Sequence, residues 1–443
     1  MTGMLKWLNT FVSGSWGKAQ NSSEQVPDIA AQLAFARSEP LTLGVEFELA
    51  MLDCETLQPK PCGEAVIDAA NNPYVKKELF RHMVEVTTGI CKDVHEAKTQ
   101  LTDALCTIIA EADRQGAVVI GSGRPPTLKC NELERVEDER YAWLKEQRQI
   151  INDRFGTLGM HVHIGMTDAD ACVRYHNFYT HFIPHLLALS AASPFEEGEM
   201  TGLASARALV TESLPVGGIP YHYKTWQEYV DLVTAMAHAG SIRNLKDMWW
   251  DIRPSPQYGT LELRICDQPS NMQEAMAIVA FVHLIGKWFS AHQDWLDEMP
   301  RPEAWRLREN KWRAIRYGIG AELIVNAKGD VRPIADDITT WLERVTPYVE
   351  ELGYQEYVAH LREMLERGNS AQRQQRLHAA GWSNAEVSRY LARTMSSMKP
   401  LHEEVEEVVR KVEAQKTLEE QPILMPPSAI AACFLCLFLF GLS

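Results

Sequence analysis

Segments in which charged and apolar residues alternate constrain this chain most, because a two-residue period belongs to β-strands with one apolar and one polar face. The clearest of them, L-G-V-E-F-E-L at 43–49, places Glu46 and Glu48 together on one face and only apolar side chains on the other. An acidic strand face taken alone is more often simply solvated. The segment therefore predicts a strand with a buried back, and its function depends on what lies beside it.

Other segments repeat this pattern with different charged residues. The segment G-M-H-V-H-I-G aligns His161 and His163, and T-L-E-L-R-I-C-D aligns Glu262 and Arg264. Neutral imidazole is a common metal ligand, although a pair of exposed or core histidines is an equally ordinary explanation. A cross-strand ion pair would explain the third segment. W-W-D-I-R-P, with Arg253, and the weaker V-E-V-T, with Glu85, add further charge.

Together these strands predict a sheet whose back packs on helices and whose front collects charged side chains. Like charges crowded on one face repel each other, so the arrangement is favoured when cations lie among the carboxylates. Oxygen-rich ligation with an imidazole favours Mg²⁺ or Mn²⁺ over a structural zinc ion. The candidate metal ligands are Glu46, Glu48, Glu85, His161 and Glu262.

Arginines beside such metals suit phosphate and carboxylate ligands, since the guanidinium fork binds two oxygens at once and stays charged. Phosphoryl transfer is the chemistry that this combination favours. The chain lacks the G-x-x-x-x-G-K-[ST] loop, and its nearest glycine-rich turn, G-S-G-R-P-P at 121–126, has neither the lysine nor the hydroxyl. A nucleotide would therefore be held by the metals and the sheet.

Charge and cysteine content exclude several other classes of protein. The formal net charge of -15 over 443 residues would repel a phosphate backbone, so nucleic acid is not an expected partner. Nine scattered cysteines do not form a disulfide framework, and they fit reduced thiols in the cytoplasm. Membrane contact is expected only through the C-terminal tail, if anywhere, because its apolar stretch at 429–442 is shorter than the ~20 residues of a spanning helix.

The spacing of apolar residues divides the chain into three parts. Residues 1–39 read as an N-terminal extension, 40–418 as a single domain, and 419–443 as an apolar tail. Within the domain, 40–267 is rich in strands and 268–418 is helical, which predicts an α+β fold. Helical patterns run over 271–296, 337–368 and 384–416, and the first is apolar almost all round, as expected of a buried core helix.

The ordered motifs from 41 to 326 resemble those of glutamate–cysteine ligase family 2, the carboxylate–amine ligases, which share the glutamine synthetase-like catalytic fold. They are T-L-G-V-E-F-E-L, E-V-T-T-G-I-C-K-D, G-M-H-V-H-I-G-M, L-S-A-A-S-P-F, T-G-L-A-S-A-R, W-W-D-I-R-P-S, G-T-L-E-L-R-I-C-D and E-N-K-W-R-A-I-R-Y-G. The resemblance implies an antiparallel sheet of about six strands that forms a funnel, with helices on one face. ATP would enter at one mouth, the amino acid at the other, with metals between. The 121–126 turn departs from the family's G-T-H-P segment.

The resemblance also implies roles for individual residues. The metal ligands would be Glu46, Glu48, His161 and Glu262, with Glu85 added, and His163 would contact the ATP cofactor. Arg264 would face the transferring phosphoryl group, and Arg316 is a second candidate for catalysis. Candidates for contact with the substrates are Arg207, Arg253 and Thr88.

The implied reaction activates a carboxylate, typically the γ-carboxylate of glutamate, as an acyl phosphate that the amine of a second substrate such as cysteine attacks. The expected partners are amino acid substrates and ATP, and a homodimer is an option. Two alternatives stay open. One is a zinc hydrolase built on His161 and His163, and the other is a sensor of amino acids or nucleotides without turnover. The sequence does not identify the acceptor amine.

Overall fold

The computed structural model describes residues 29–299 and 301–419. The predicted N-terminal extension lies outside this range up to residue 28, and the predicted apolar tail lies outside it from residue 420 onward. The described part is an α+β fold in which a seven-stranded antiparallel sheet is surrounded by helices. The predicted fold class is confirmed, and the sheet has seven strands where about six were expected.

The strands of the described part follow in chain order. They are β1 (Leu43–Asp53), β2 (Val75–Lys77), β3 (Met83–Thr87), β4 (Ala117–Ile120), β5 (Met160–Gly165), β6 (Phe195–Glu196), β7 (Glu199–Met200), β8 (Gly217–Gly218), β9 (Trp249–Trp250), β10 (Ile252–Ser255), β11 (Thr260–Leu263), β12 (Glu322–Ile324) and β13 (Val331–Pro333).

The main sheet has the strand order β10-β11-β5-β1-β3-β2, and β4 pairs with the end of β1. In β1, Val45 and Phe47 are buried as the alternation predicts, but every residue from Leu49 to Leu52 is buried as well. This second half pairs with β4, and its Leu52 packs in a separate apolar cluster. Strand β1 therefore runs four residues past the predicted segment.

The helices cover the back of the sheet and fill the C-terminal half. They are α1 (Ile29–Leu33), α2 (Gly63–Ala70), α3 (Val94–Arg114), α4 (Glu139–Arg148), α5 (Ile150–Asp153), α6 (Ala169–Thr180), α7 (Ile183–Ser190), α8 (Ala206–Glu212), α9 (Trp226–His238), α10 (Met272–Ala291), α11 (Trp295–Glu298), α12 (Ala304–Tyr317), α13 (Ile334–Arg344), α14 (Thr346–Leu352), α15 (Gln355–Arg367), α16 (Ser370–Ala379), α17 (Asn384–Ser397) and α18 (His402–Glu419).

Helix α10 is the core helix that the sequence predicts. Its cap, Asn271, accepts a hydrogen bond from the Glu274 amide at 2.9 Å, and the helix packs against α3 and the back of β5. By length and composition it is the one helix in the described residues that could span a membrane, but 78% of its apolar window is buried in the protein. This burial is that of a core helix.

The two other predicted helical stretches are divided in the structure. The stretch 337–368 falls on α13, α14 and α15, because Pro347 stands at the start of α14 and Gly353 ends it with a φ of +69°. The stretch 384–416 becomes α17 and α18, since Met398 takes a φ of 58° and Pro400 follows it. Periodicity alone does not reveal these interruptions.

Two groups of buried ion pairs connect distant elements, and the first of them joins the strand-rich half to the helical half. Lys311 of α12 is buried, and its Nζ lies 2.6 Å from Asp251 Oδ2, between β9 and β10, and 2.5 Å from Glu212 Oε1 in α8. In α16, the fully buried Arg373 binds both carboxylate oxygens of Glu274, at 2.6 and 2.7 Å. Each of these contacts joins parts of the chain that are far apart in sequence.

Candidate active site

The front of the sheet forms one wall of a cavity of about 800 Å³. Strand order explains why the charged residues meet there, since β10, β11, β5, β1 and β3 are successive neighbours. Eight of the predicted site residues line this cavity: Glu46, Glu48, Glu85, His161, His163, Arg253, Glu262 and Arg264. The alternation therefore brings together side chains from segments more than 200 residues apart.

Strand register sets which of these residues face each other. Glu46 pairs with His161 across β1 and β5, whereas Glu262 pairs with His163 across β11 and β5. On the other side of β1, Glu48 pairs with Glu85 of β3. Each histidine thus has a glutamate directly opposite it on a neighbouring strand.

One compact group in this array has the donors of a metal site. A ligand atom from each of Glu46, His163 and Glu262 lies within 4.8 Å of the others. His163 Nε2 is 3.4 Å from Glu46 Oε1 and 4.0 Å from Glu262 Oε1, and its Nδ1 is 2.9 Å from the Thr260 hydroxyl, which fixes the ring. Two carboxylates and one imidazole fit a divalent cation such as Mg²⁺ or Mn²⁺.

The geometry thus favours His163 in the metal group, whereas the sequence pointed to His161 as the ligand and to His163 at the nucleotide. His161 Nδ1 lies 3.0 Å from Glu46 Oε2, and its Nε2 lies 3.8 Å from Glu48 Oε1. That Nε2 is buried and has no hydrogen-bond partner among the described residues, so His161 could complete a site between Glu46 and Glu48. Both imidazoles are within reach of the carboxylates.

The Glu46 carboxyl is held in its charged form by these imidazoles. Burial alone would raise the pKa of Glu46, but hydrogen bonds with His161 and His163 outweigh burial and hold the pKa well below its ordinary value. For His163, burial works to lower the pKa, but the hydrogen bond with Glu46 and the charge of Glu262 raise it overall. Burial and the charge of Arg264 lower the pKa of His161.

Glu262 is clamped between two arginines. Arg253 donates from Nε and Nη2 to Glu262 Oε2, and Arg264 donates to Oε1 of the same carboxylate. Burial raises the pKa of Glu262, yet the charges of Arg253 and Arg264 outweigh it and leave the pKa far below the usual range. The Arg264 guanidinium also lies 5.8 Å from the centre of the Trp249 ring. Glu262 is therefore ionised and rigidly placed.

A second group of acids lies at the β2–β3 side of the cavity. Glu85 is 3.5 Å from Lys76 Nζ, and burial together with the charge of Glu46 raises its pKa to about 7. Glu78 also lines the cavity, and burial with the charges of Glu48 and Glu85 raises its pKa well above the ordinary value. Crowded acids of this kind gain from a bound cation, either a metal or a substrate ammonium group.

Three predicted site residues do not line the cavity. Arg207 is buried behind the wall, and it donates to the backbone carbonyls of Arg264 at 3.1 Å and Ile265 at 3.3 Å. Arg316 is exposed and donates to the Gly202 carbonyl. Thr88 uses its hydroxyl to accept from the Val45 amide and donate to the Gly89 carbonyl. None of the three is among the described residues that line the cavity, so the geometry gives no support for their direct contact with a ligand there.

The glycine-rich turn at 121–126 is a packed part of the core. A Cβ on Gly121 would lie 2.4 Å from the Pro269 carbonyl, and one on Gly123 would lie 2.4 Å from the Asp267 carboxylate. Arg124 is fully buried and donates to the Arg154 carbonyl at 3.0 Å. The turn is not among the residues that line the cavity, so its glycines serve close packing.

Some residues of the site were missed at the sequence level. Thr260, whose hydroxyl contacts His163 Nδ1, stands two residues before Glu262, so the alternation of that strand could have identified it. Glu78 comes from a loop, Tyr141 from α4 and Trp249 from the two-residue strand β9, and no local pattern marks them. Gln32 lies in α1, within the predicted extension, and also lines the cavity. Tertiary packing alone brings these residues to the wall.

The arrangement can bind a polyphosphate and stabilise charge that develops on it. A cation held by carboxylates neutralises phosphate oxygens, and the fixed Arg264 guanidinium adds a positive charge beside it. Among the described residues that line the cavity there is no aspartate and no third histidine. A zinc hydrolase site built on two histidines needs further ligands of this kind, so the donors of this wall suit phosphoryl chemistry better.

Comparison with known proteins agrees with this geometry. The model of the protein family described as glutamate–cysteine ligase family 2 matches residues 42–411. A protein of Bdellovibrio bacteriovorus, provisionally named glutamate–cysteine ligase 2, is 36% identical over 331 residues, which cover 74% of this chain and 88% of the relative. A Mycolicibacterium smegmatis protein, provisionally named glutamate–cysteine ligase 2-1, is 36% identical over 348 residues, covering 78% and 93%.

Solved structures share the fold at low sequence identity. The glutamate–cysteine ligase of Francisella tularensis in complex with AMP superposes with a TM-score of 0.60 at 13% identity, covering 88% of this chain and 97% of that one. A bifunctional glutathione synthetase from Pasteurella multocida gives a TM-score of 0.53 at 13% identity, covering 85% and 52%. The predicted glutamine synthetase-like ligase fold is confirmed.

Proposed function

Because this chain belongs to glutamate–cysteine ligase family 2 and is thus an ATP-dependent ligase that forms a C–N bond, we propose that it joins L-glutamate to an amino acid. The reaction activates the γ-carboxylate of glutamate as an acyl phosphate, and the amine of the second substrate then displaces phosphate. L-cysteine is the proposed acceptor, which gives γ-glutamylcysteine, ADP and phosphate. The observation that carries the proposal is that Glu46, His163 and Glu262 form one compact group, in which Glu262 is paired with both Arg253 and Arg264.

The residues of the wall have distinct tasks in this reaction. Glu46, His163 and Glu262 would hold a divalent cation, with His161, Glu48 and Glu85 beside them. When bound, Mg²⁺ or Mn²⁺ supplies charge neutralisation at the nucleotide phosphates. Arg264 offers a fixed positive charge to the transferring phosphoryl group, because Glu262 and Trp249 restrain its guanidinium. Arg253 orients Glu262 and through it the whole group.

The test is ADP release in the presence of Mg²⁺, ATP and L-glutamate with a panel of amines that includes L-cysteine. We expect ADP release that depends on both substrates and is lost in Glu262→Ala. The matched control is Glu366→Ala, which removes an exposed glutamate of α15. Since Glu262→Ala removes the carboxylate that pairs with Arg253 and Arg264, thermal unfolding and the Glu262→Gln variant must be measured in parallel.

Outcomes of this assay separate the ligase from its alternatives. ATP-independent cleavage of an amide would favour the zinc hydrolase, and nucleotide binding without turnover would favour the sensor. Release of ADP with an acceptor other than cysteine would retain the ligase and change its product. The cytoplasmic location and the homodimer stay predictions.

A further inference from the structure

The two ends of the cavity differ in charge. At the β2–β3 edge the wall is ionic, with Lys76, Lys77, Glu78 and Glu85. At the β10–β11 edge most side chains are neutral hydrogen-bonding groups or rings, namely Gln32, Asn244, Ser255, Gln257 and Tyr258, with Lys246 and Arg140 beside them. A zwitterionic amino acid fits the ionic end, where both of its charges find partners. An uncharged heterocycle fits the neutral end, because it needs hydrogen bonds and apolar contact without ion pairs.

Residues 29–41, here called the upstream segment, help to build the neutral end. The family match begins at residue 42, so this segment lies outside it. The Ala36 amide donates to the Pro256 carbonyl at 2.9 Å, and the Ser38 hydroxyl donates to the Tyr258 carbonyl at 2.7 Å. The turn beneath is shaped for this contact, since a Cβ on Gly259 would lie 2.5 Å from the Ala36 carbonyl oxygen.

Gln32 is the polar side chain that the upstream segment contributes to the cavity wall. Its Oε1 accepts a hydrogen bond from the Leu245 amide at 3.1 Å, which fixes the side-chain amide. The Leu245 carbonyl in turn accepts from Arg253 Nη1 at 3.0 Å, so Gln32 is tied to the arginine that clamps Glu262. Within the described residues, no hydrogen bond engages Gln32 Nε2, which leaves two N–H donors for a ligand.

From these contacts we propose that Gln32 is a specificity residue for the nucleotide base, to whose ring nitrogen it donates a hydrogen bond from Nε2. The inference rests on the proposed function, since it presumes that the metal group holds the phosphates of ATP. It assigns the base to the neutral end, the phosphates to the sheet centre and the amino acid to the ionic end. The upstream segment thereby forms part of the wall of the nucleotide site, although it lies outside residues 42–411, which the family model matches.

The test compares two ligands that share phosphates but differ in the base. Binding of the Mg²⁺ complexes of AMPPNP and of inorganic tripolyphosphate is measured by calorimetry on the full chain. The variants are Gln32→Glu, which keeps an acceptor for Leu245 but removes the donors, and Gln32→Leu, which removes both. Arg37→Ala, an exposed change in the same segment, is the matched control.

We expect both Gln32 variants to bind AMPPNP roughly five- to tenfold more weakly, as for one lost hydrogen bond, and tripolyphosphate within twofold of wild type. Equal weakening for both ligands would overturn the inference, because the base would then not be the group recognised. Wild-type affinity in Gln32→Glu would also overturn it, since the Leu245 contact alone would matter. If the wild-type chain binds neither ligand, the proposed function fails with it.

Discussion

Arg253 donates two hydrogen bonds to the same oxygen of Glu262, with Oε2 lying 3.1 Å from Nε and 2.6 Å from Nη2. The remaining nitrogen of the fork, Nη1, donates to the carbonyls of Leu245 and Met248 at 3.0 and 2.9 Å. All of the guanidinium is therefore used to hold the carboxylate in one place, while Glu262 Oε1 is directed to the metal group and Arg264.

Replacement of this fork by a single ammonium group should disturb catalysis while the charge is kept. We expect Arg253→Lys to lower kcat by about 10- to 100-fold, because a shift of about 1 Å at Glu262 can misplace the phosphoryl group by a similar amount. The measurement is ADP release at saturating substrates. Arg308→Lys, on the exposed face of α12, is the control. An unchanged kcat would mean that the fork is not required.

Removal of a carboxylate from the metal group should weaken divalent cation binding. We expect Glu46→Gln to raise the Kd for Mn²⁺ at least about tenfold, since even indirect partners of metal ligands contribute that much. Free Mn²⁺ is measured by electron paramagnetic resonance, and Glu366→Gln is the control. We expect EDTA to abolish ADP release and added Mg²⁺ to restore it. Equal Mn²⁺ affinity in variant and control would exclude Glu46 as a ligand.

Buried histidines should make the fold sensitive to acid. Burial lowers the pKa of His82 to about 3 and the pKa values of His176, His181 and His283 to about 4. These groups are neutral in the folded chain, and below about pH 6.5 they bind protons when the chain unfolds. Their contribution to the free energy of unfolding is therefore fully present above that pH and is lost as the pH falls toward 4.

Because of each such histidine, the free energy of unfolding should rise with pH by at most about 1.4 kcal/mol per pH unit between roughly pH 4 and 6. Urea unfolding at several pH values measures this slope. We expect His82→Phe to make it shallower by that amount, and His238→Phe, at an exposed position, to leave it unchanged. Parallel slopes for wild type and His82→Phe would show that His82 also takes up a proton in the folded chain.

A methyl group at Gly259 should displace the upstream segment. Gly259 has a φ of +62°, and its added Cβ would lie 2.5 Å from the Ala36 carbonyl oxygen. Gly329 offers a matched control, because its φ is +86° but no atom of the described residues lies within 4 Å of its added Cβ. Both alanine variants bear the cost of a left-handed backbone, about 1 kcal/mol, and only Gly259→Ala bears the clash. We expect it to lower the unfolding free energy by about 1–3 kcal/mol more than Gly329→Ala, by urea titration. Equal losses would show that the segment shifts freely.

Alternation in the sequence was sufficient to predict the charged front of the sheet. It identified Glu46, Glu48, His161, Glu262 and Arg264 because a strand keeps every second side chain on one face, whatever its neighbours are. It did not choose between His161 and His163, since that depends on the register with two flanking strands. Register is set by long-range pairing.

Residues outside strands were harder to place. Arg207 and Arg316 stand in motifs that resemble the family's, but one lies behind the cavity wall and the other on the surface. Gln32 and Tyr141 reach the cavity from helices, where a polar residue on the solvent side looks the same whether or not a site lies beside it. Helical periodicity reports the buried face and gives no information about what the other face meets.

The contact of Lys311 with Asp251 and Glu212 has a consequence for how such chains diversify. Its two acidic partners come from the strand-rich half and the cation from the helical half, and all three lie near the segment that carries Arg253. Exchange of one half between relatives would leave an unpaired charge in the interior unless the matching residue came with it. Recombination near residue 268 should therefore yield few folded chimeras, and the two halves are expected to be inherited together.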